Sequence, residues 1–335
     1  MLRFCCFRLL SALVMAWLAT LIIFLITNTV PGDPVLAQLG DLAASNADFV
    51  AAARERYGLN LPLWQRYFVF LYNLLHGDLG LSITSHRPVL TDIKAYAPAT
   101  IELATLSFLL ALVIGLPLGI VAAVKRDGWP DHLARFISLL GVSSPTFWLA
   151  FIMLSFFYGY LGIAPGPGRI DPISLPPEGS GFYLYDTIVA GDWEAFRDVA
   201  SHLILPTVVL AAATTGLITR TARAAMLEAL YQDYVRMGRA KGLAERYLIL
   251  RHVLPNALIP IVTMGGLAYA ELLTGAVMTE TVFSWPGLGR YTFDSAATLD
   301  LPAIMGVTLI VALVYLLINF LVDVSYVLLD PRVRR

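Results

Sequence analysis

Charge is what this sequence is short of. Only 14% of its 335 residues are Asp, Glu, Lys or Arg, against 58% that are hydrophobic, and the mean hydropathy is +0.73. Soluble domains carry about 25% charged and about 45–50% apolar residues. A soluble chain of this composition would expose large apolar patches and aggregate, so a bilayer is its natural solvent. A formal net charge of −1 leaves no basic face of the kind that nucleic-acid binding needs, and no nucleic-acid partner is expected. Cysteine is nearly absent. Cys5 and Cys6 are neighbours ahead of the first apolar run, which excludes a disulfide framework. They read as two small apolar residues at a membrane edge, with lipidation as the alternative. The histidines, His76, His86, His132, His202 and His252, are scattered, and none stands at ligand spacing from another, so neither a metal nor a cofactor is expected. Catalytic motifs are missing as well. "GRAKGL" has the residue types of a phosphate-binding loop in the wrong order, and no G-x-x-x-x-G-K-[ST], H-E-x-x-H or G-x-S-x-G occurs. The chain is expected not to be an enzyme and not to hydrolyse ATP itself.

Long apolar runs are what it does have. A helix needs about 20 such residues to cross the hydrocarbon core. Uncharged runs occupy Leu9 to Thr29, Leu103 to Val124, Phe136 to Leu161, Leu203 to Thr219, Val253 to Ala270 and Leu301 to Val322. They predict an all-α membrane protein with six transmembrane helices. The first run, behind Arg3 and Arg8, is too long for a signal-peptide core and is read as an uncleaved anchor. Basic residues set the orientation. The N-terminal tail, the loop with Lys125, Arg126 and Arg135, the loop Arg220–Arg251 and the tail with Arg332, Arg334 and Arg335 are basic. Segment 162–202 has Arg169 and Arg197 against six acids, and 271–300 has Arg290 alone. Both termini are therefore expected in the cytoplasm.

Residues 1–99 read as the anchor helix plus an extracytoplasmic helical segment, and residues 100–335 as the transmembrane core. Ser45 with Asp48 has capping-box form ahead of "FVAAARERYG". The apolar stretch Tyr67 to Leu75 is too short to span, and is expected to lie along the outer surface or against a neighbouring span. Segment 162–202 opens on a Pro/Gly-rich turn region. Ionisable residues inside spans mark ion and proton pathways, and their absence from the runs argues against a self-contained secondary carrier or channel. Glu271, in "AYAELLTG", is the nearest exception. It either faces a central cavity and meets a cationic group of a substrate, or it is hydrated near the outer interface. Ser144 and Pro145 interrupt the third run. A Ser-Ser-Pro within a span satisfies backbone groups freed by the proline more often than it supplies a nucleophile. Glu271, Ser144 and Pro145 are the candidate cavity or gate residues. Close packing and kinks are expected from "GLPLG" at 115–119, Pro145, Pro206 and the pair Gly265–Gly266.

Arg220 to Arg251 holds seven Lys/Arg, namely Arg220, Arg223, Arg236, Arg239, Lys241, Arg246 and Arg251, against Glu228, Asp233 and Glu245. Topology alone would explain the sign of this loop but not its order. A helix-forming "AAMLEALYQDYVRM", a break at Gly242 and a second helix "LAERYLILRHVLP" describe a built element. A short helix presenting arginines suits docking onto an acidic protein surface, because the guanidinium fork matches carboxylates.

The stretch "DYVRMGRAKGLAERYLILRHVLPNALIP", from Asp233 to Pro260, resembles the cytoplasmic EAA loop of ABC importer permeases of the peptide/nickel group. "PGDP" (Pro31–Pro34), "GDLGLS" (Gly77–Ser82), "ATIEL", "SSPTFWLA", "HLILP", "TETVFSWPGLGR" (Thr279–Arg290) and "VDVSYVLLDPRVR" fit the same group, in order and nearly end to end. The insertion before the fourth run resembles dipeptide-type permeases. The resemblance implies a type I ABC importer permease fold in the bacterial inner membrane. It also implies one half of a heterodimeric pore, working with a second permease subunit, two cytoplasmic ATP-binding subunits and an extracytoplasmic substrate-binding protein. Tyr234, Arg236, Arg239, Ala240, Lys241, Gly242 and Leu243, within a cytoplasmic loop of about 220–252, would make the contact with the ATPase. The implied substrate is a dipeptide or short peptide, with oligopeptides, nickel chelates, glutathione and opines as the alternatives. The general Glu-Ala-Ala is replaced by Arg236-Met237-Gly238. Gly238 is expected to soften the coupling helix, since Gly costs about 1 kcal/mol relative to Ala within a helix.

Overall fold

The computed structural model describes residues 2–29, 61–175 and 178–329. The capping box at Ser45 and Asp48 and the C-terminal basic residues lie outside the described residues. Apart from one bridge between Leu81 and Pro88, the regular structure among the described residues is helical. In chain order the helices are α1 (Leu2–Thr29), α2 (Leu63–Leu75), α3 (Val89–Val124), α4 (Trp129–Ser143), α5 (Thr146–Met153), α6 (Tyr183–Ala190), α7 (Trp193–Leu230), α8 (Asp233–Ala240), α9 (Glu245–Leu248), α10 (Leu254–Gly275), α11 (Val277–Val282), α12 (Leu288–Ala297) and α13 (Leu301–Leu329). A π-helical stretch, Leu154–Tyr160, prolongs α5, and another, Ile249–Val253, joins α9 to α10.

The centre of the bundle is the pair α3 and α7, which run side by side in the same direction. Apolar helices gain little from leaving lipid for each other, so close backbone approach through small residues must hold them. Gly115 and Gly119 supply it. A Cβ on Gly119 would stand 2.7 Å from that of Ala222, and the Thr219 hydroxyl donates to the Gly115 carbonyl at 3.1 Å. Pro206 lies inside α7 without ending it. The short α2 packs on α1, where Tyr67 and Thr20 share a 2.9 Å hydrogen bond and the Phe24 and Tyr67 rings meet edge to face. Of the two expected places for it, the one against a neighbouring span is found.

Among the described residues five helical segments are long and apolar enough to cross a membrane: Phe7–Ile26, Val89–Val124, Trp193–Leu230, Glu245–Thr274 and Leu301–Ser325. The expected third span is different. It is the pair α4 and α5, bent by 98° between Ser143 and Thr146, and it makes the sixth crossing only if the pair counts as one. Proline disfavours the helical conformation in the residue before it, and Ser144 is extended at φ −84°, ψ 122°. The Ser144 N–H still reaches the Leu140 carbonyl at 3.2 Å.

Two expected boundaries shift. Helices α3 and α7 begin at Val89 and Trp193, well before the uncharged runs at Leu103 and Leu203, and the acids Asp92, Glu102 and Asp198 in these extensions have protein partners. One consequence is that position 100 falls inside a continuous helix. The expected helix through "AAMLEALYQDYVRM" is divided: α7 stops at Leu230, and α8 restarts at Asp233.

Candidate coupling site

Helix α8 carries the basic loop. It buries Val235 and Gly238, three residues apart and so on one face, in an apolar cluster with Met226, Leu248, Ile249 and Val253. The remaining positions, from Asp233 and Tyr234 through Arg236, Arg239, Ala240, Lys241, Gly242 and Leu243, are exposed. The helix ends in a Schellman turn. Gly242 takes φ +76°, its N–H donates to the Arg239 carbonyl at 3.0 Å, and the Leu243 N–H donates to the Gly238 carbonyl at 3.2 Å. Glycine is needed here because a Cβ disfavours this left-handed backbone.

Gly238 differs from expectation. A Cβ there would stand 2.6 Å from Leu248 Cδ1, so this glycine lets α9 close onto α8. The contact offsets the softness that propensity alone implies. Arg239 braces the same corner, its Nε and Nη2 reaching the two oxygens of Glu245 at 3.1 and 2.6 Å across the Gly242 turn. Tyr234 is tied to α10 by Asn256, whose Nδ2 donates to the phenol oxygen at 3.1 Å. Among the described residues Arg236 and Lys241 make no such ties apart from a loose 3.6 Å pairing of Arg236 with Asp233. Beside them Met237, Leu243 and Tyr247 expose apolar surface.

Of the candidate cavity residues, Glu271 lines an opening, whereas Ser144 and Pro145 are not on its wall. A cavity of about 410 Å³ lies between α4, α5, α7 and α10, with Val142, Thr146, Thr214 and Glu271 on its wall. Ser144 and Pro145 form the break between two of those lining residues. Among the described residues neither Ser143 nor Ser144 uses its hydroxyl in a hydrogen bond. The Glu271 side chain is exposed, three residues before the end of the apolar segment Glu245–Thr274.

Sequence reading missed two groups of buried charge. At the end of the bundle nearest the basic loop, Asp131 of α4 is fully buried and grips Arg223 of α7 in a two-pronged pair, 2.6 Å from Nε and 2.8 Å from Nη2. Arg135 adds a third bond at 3.2 Å. At the opposite end, Glu102 of α3 accepts from Arg169 at 2.6 Å and from the Leu184 N–H at 2.9 Å. The Arg169 guanidinium also lies 3.7 Å from the Tyr183 ring centre. Alongside, Glu280 accepts from the Thr100 hydroxyl at 2.7 Å and from the Arg290 N–H at 3.0 Å. Trp285 Nε1 donates to the Ala99 carbonyl at 3.0 Å, and the Leu288 N–H donates to Thr100 at 2.8 Å. A Cβ on Gly287 would come within 2.5 Å of the Glu280 carboxylate, so the "PGLG" segment leaves the space that this acid fills. Burial holds the Glu280 carboxyl above its ordinary range. Asp186, near the start of α6, behaves oppositely. Burial opposes its charge, but bonds from Ser180 and the Gly181 N–H outweigh that and hold it below the usual range. The signal was present in the sequence: "ATIEL" and "TETVFSWPGLGR" each carry an acid that a membrane protein keeps only with a partner.

The family described as "Binding-protein-dependent transport system inner membrane component" matches residues 115–335, and the N-terminal component of such systems matches residues 1–104. Over 315 residues the chain is 47% identical to the probable D,D-dipeptide transport system permease protein DdpB of Escherichia coli (strain K12), covering 94% of this chain and 92% of that protein. It is 41% identical over 315 residues to the dipeptide transport system permease protein DppB of Alkalihalophilus pseudofirmus, covering 94% of each. The glutathione transport system permease protein GsiC of Escherichia coli O6:H1 is 35% identical over 334 residues, covering 100% of this chain and 99% of that protein.

Proposed function

The chain belongs to the family of binding-protein-dependent inner membrane transport components, and we propose that it is the permease subunit of an ATP-driven dipeptide importer. It is a multi-pass inner membrane protein and one subunit of an ABC transporter assembly. One observation carries the substrate class: relatives 47% and 41% identical over 94% of the chain are named for dipeptides. The assembly we propose pairs this chain with a second permease subunit, two cytoplasmic ATP-binding subunits and an extracytoplasmic binding protein. Both termini and α8 face the cytoplasm, in keeping with the basic tails and loops.

In this reading α8 is the lever. Arg236 and Lys241 meet acidic groups of the ATP-binding subunit, and Met237, Leu243 and Tyr247 fill its apolar cleft. The Gly242 turn and the Arg239–Glu245 pair make α8 and α9 one stiff corner continuous with α10. A push on α8 therefore reaches α10 directly, and α7 through Val235, Leu248 and Met226. Rigid-body rocking of two such subunits against each other opens the cavity to alternate sides. Gly242→Glu tests the lever, since nothing lies within 4 Å of a Cβ there and the substitution strains only the turn and adds a negative charge among the basic residues. Reconstituted with its partners, the variant is expected to assemble, to take up labelled dialanine at background level and to lose stimulation of ATP hydrolysis by the binding protein. Normal uptake would refute the coupling role of this turn.

A further inference from the structure

The cavity between α4, α5, α7 and α10 contains an acid whose role the fold does not explain. The carboxylates of Asp92, Glu102, Asp131 and Asp323, each on a helix of the bundle, are paired with arginines. Glu271 is not, and unlike Glu194 and Glu228 of α7, which also lack a side-chain partner among the described residues, it lines this cavity. Its carboxylate has no hydrogen bond or ion pair among the described residues, and the one side-chain bond it takes part in runs from Thr274 to its backbone carbonyl. It opens onto a space of about 410 Å³, within the size range of about 300–1,000 Å³ for small-molecule pockets. Most of the wall is apolar, with Val142, Leu210 and Leu217, and the polar groups that join Glu271 are the hydroxyls of Thr146 and Thr214. Thr214 is committed to the Leu210 carbonyl of its own helix, at 3.4 Å, whereas the Thr146 hydroxyl is unused among the described residues. An unpaired carboxylate and one free hydroxyl on an apolar wall are what a small cation with hydrogen-bond donors requires.

We propose that Glu271 positions the substrate along the import path, its carboxylate receiving the N-terminal ammonium of the peptide while the Thr146 hydroxyl accepts one of that group's protons. This rests on the dipeptide reading above and deepens it by naming the half of the substrate that the permease recognises. The chemistry suits a transport site. A primary ammonium gives up its water in the cavity and gains a countercharge, and a single carboxylate without a second fork holds it loosely enough to release it.

The test uses the complete importer in nanodiscs without the binding protein, probed by saturation-transfer NMR with millimolar dialanine and N-acetyl-dialanine. A charge-assisted bond at this site corresponds to an affinity difference of about tenfold or more. The wild type is expected to favour dialanine over the acetylated probe by that factor, Glu271→Asp to keep the preference, and Glu271→Gln to abolish it. With the binding protein restored in proteoliposomes, Glu271→Gln is expected to slow dialanine uptake while ATP hydrolysis continues. Equal signals from the two probes in a wild type that imports dialanine would overturn the role of Glu271 alone. So would loss of the second permease subunit from the purified Glu271→Gln complex, because the acid would then serve the subunit interface. A wild-type importer that takes up no dialanine overturns the dipeptide reading itself.

Discussion

Replacing Arg169 by leucine isolates what the buried pair opposite the basic end contributes. The Arg169 and Glu102 side chains are only 4% and 5% exposed, so solvent screens their attraction weakly. Removing one partner of a buried pair costs about 3–5 kcal/mol, because the remaining charge keeps its desolvation penalty without compensation. The stack on Tyr183 adds about 0.5–2 kcal/mol. Glu102 would retain the Leu184 N–H, which places Arg169→Leu toward the lower end of the combined range, at about 4 kcal/mol. The double variant Glu102→Leu with Arg169→Leu is expected to be more stable than either single one. It removes both charges and strands only the Leu184 N–H and the Gly181 carbonyl, neutral groups that cost about 1–3 kcal/mol each when unsatisfied. Thermal unfolding of the purified permease in detergent, followed for the wild type, both single variants and the double variant, gives the coupling energy directly. A double variant that loses as much as the two single variants summed would refute the claim that these charges hold the segment carrying α6 onto α3.

Asp131→Asn keeps the shape of the clamp between α4 and α7 but removes its charge. It is expected to cost about 1.5–3 kcal/mol and to reduce uptake more than ATP hydrolysis, measured on reconstituted transporter. Glu280 makes a prediction about pH. Because burial raises its folded pKa, the folded protein holds a proton that the unfolded chain has already released. Its contribution to stability is complete below the ordinary glutamic acid range and is lost as pH rises through the raised folded value. The stability difference between wild type and Glu280→Gln, read as unfolding midpoints from about pH 4 to about pH 8, is therefore expected to shift against the wild type with rising pH. A pH-independent difference would mean that Glu280 titrates alike in the folded and unfolded states, and would refute the effect of burial.

What was legible in the sequence follows from the range over which each constraint acts. A bilayer demands apolar length, and length is local, so all six runs could be found. Their ends could not. Glu102 looks like the edge of a span until Arg169, 67 positions away, is seen to neutralise it, and Arg223, beyond the end of the fourth run, is held within α7 by Asp131, 92 positions away. A rule that stops a span at the first charge treats each residue alone, whereas the cost of a buried charge belongs to a pair. The corner between α8 and α9 was readable for the converse reason. Gly242, the turn and the basic residues lie within a dozen positions, and the backbone conformation that requires glycine is a property of one residue. Even there, propensity misjudged Gly238. The cost of a flexible backbone is intrinsic to the residue, but the gain from Leu248 packing onto it appears only when α9 folds back. The break at Ser144 and Pro145 combines both cases. Proline disfavours the continuous helix locally, yet the 98° bend leaves α5 to be held by residues distant in sequence, as Ala150 packs with Leu205, Val209 and Phe283. Proline therefore accounts for where the third span breaks, and the surrounding helices account for how far it turns.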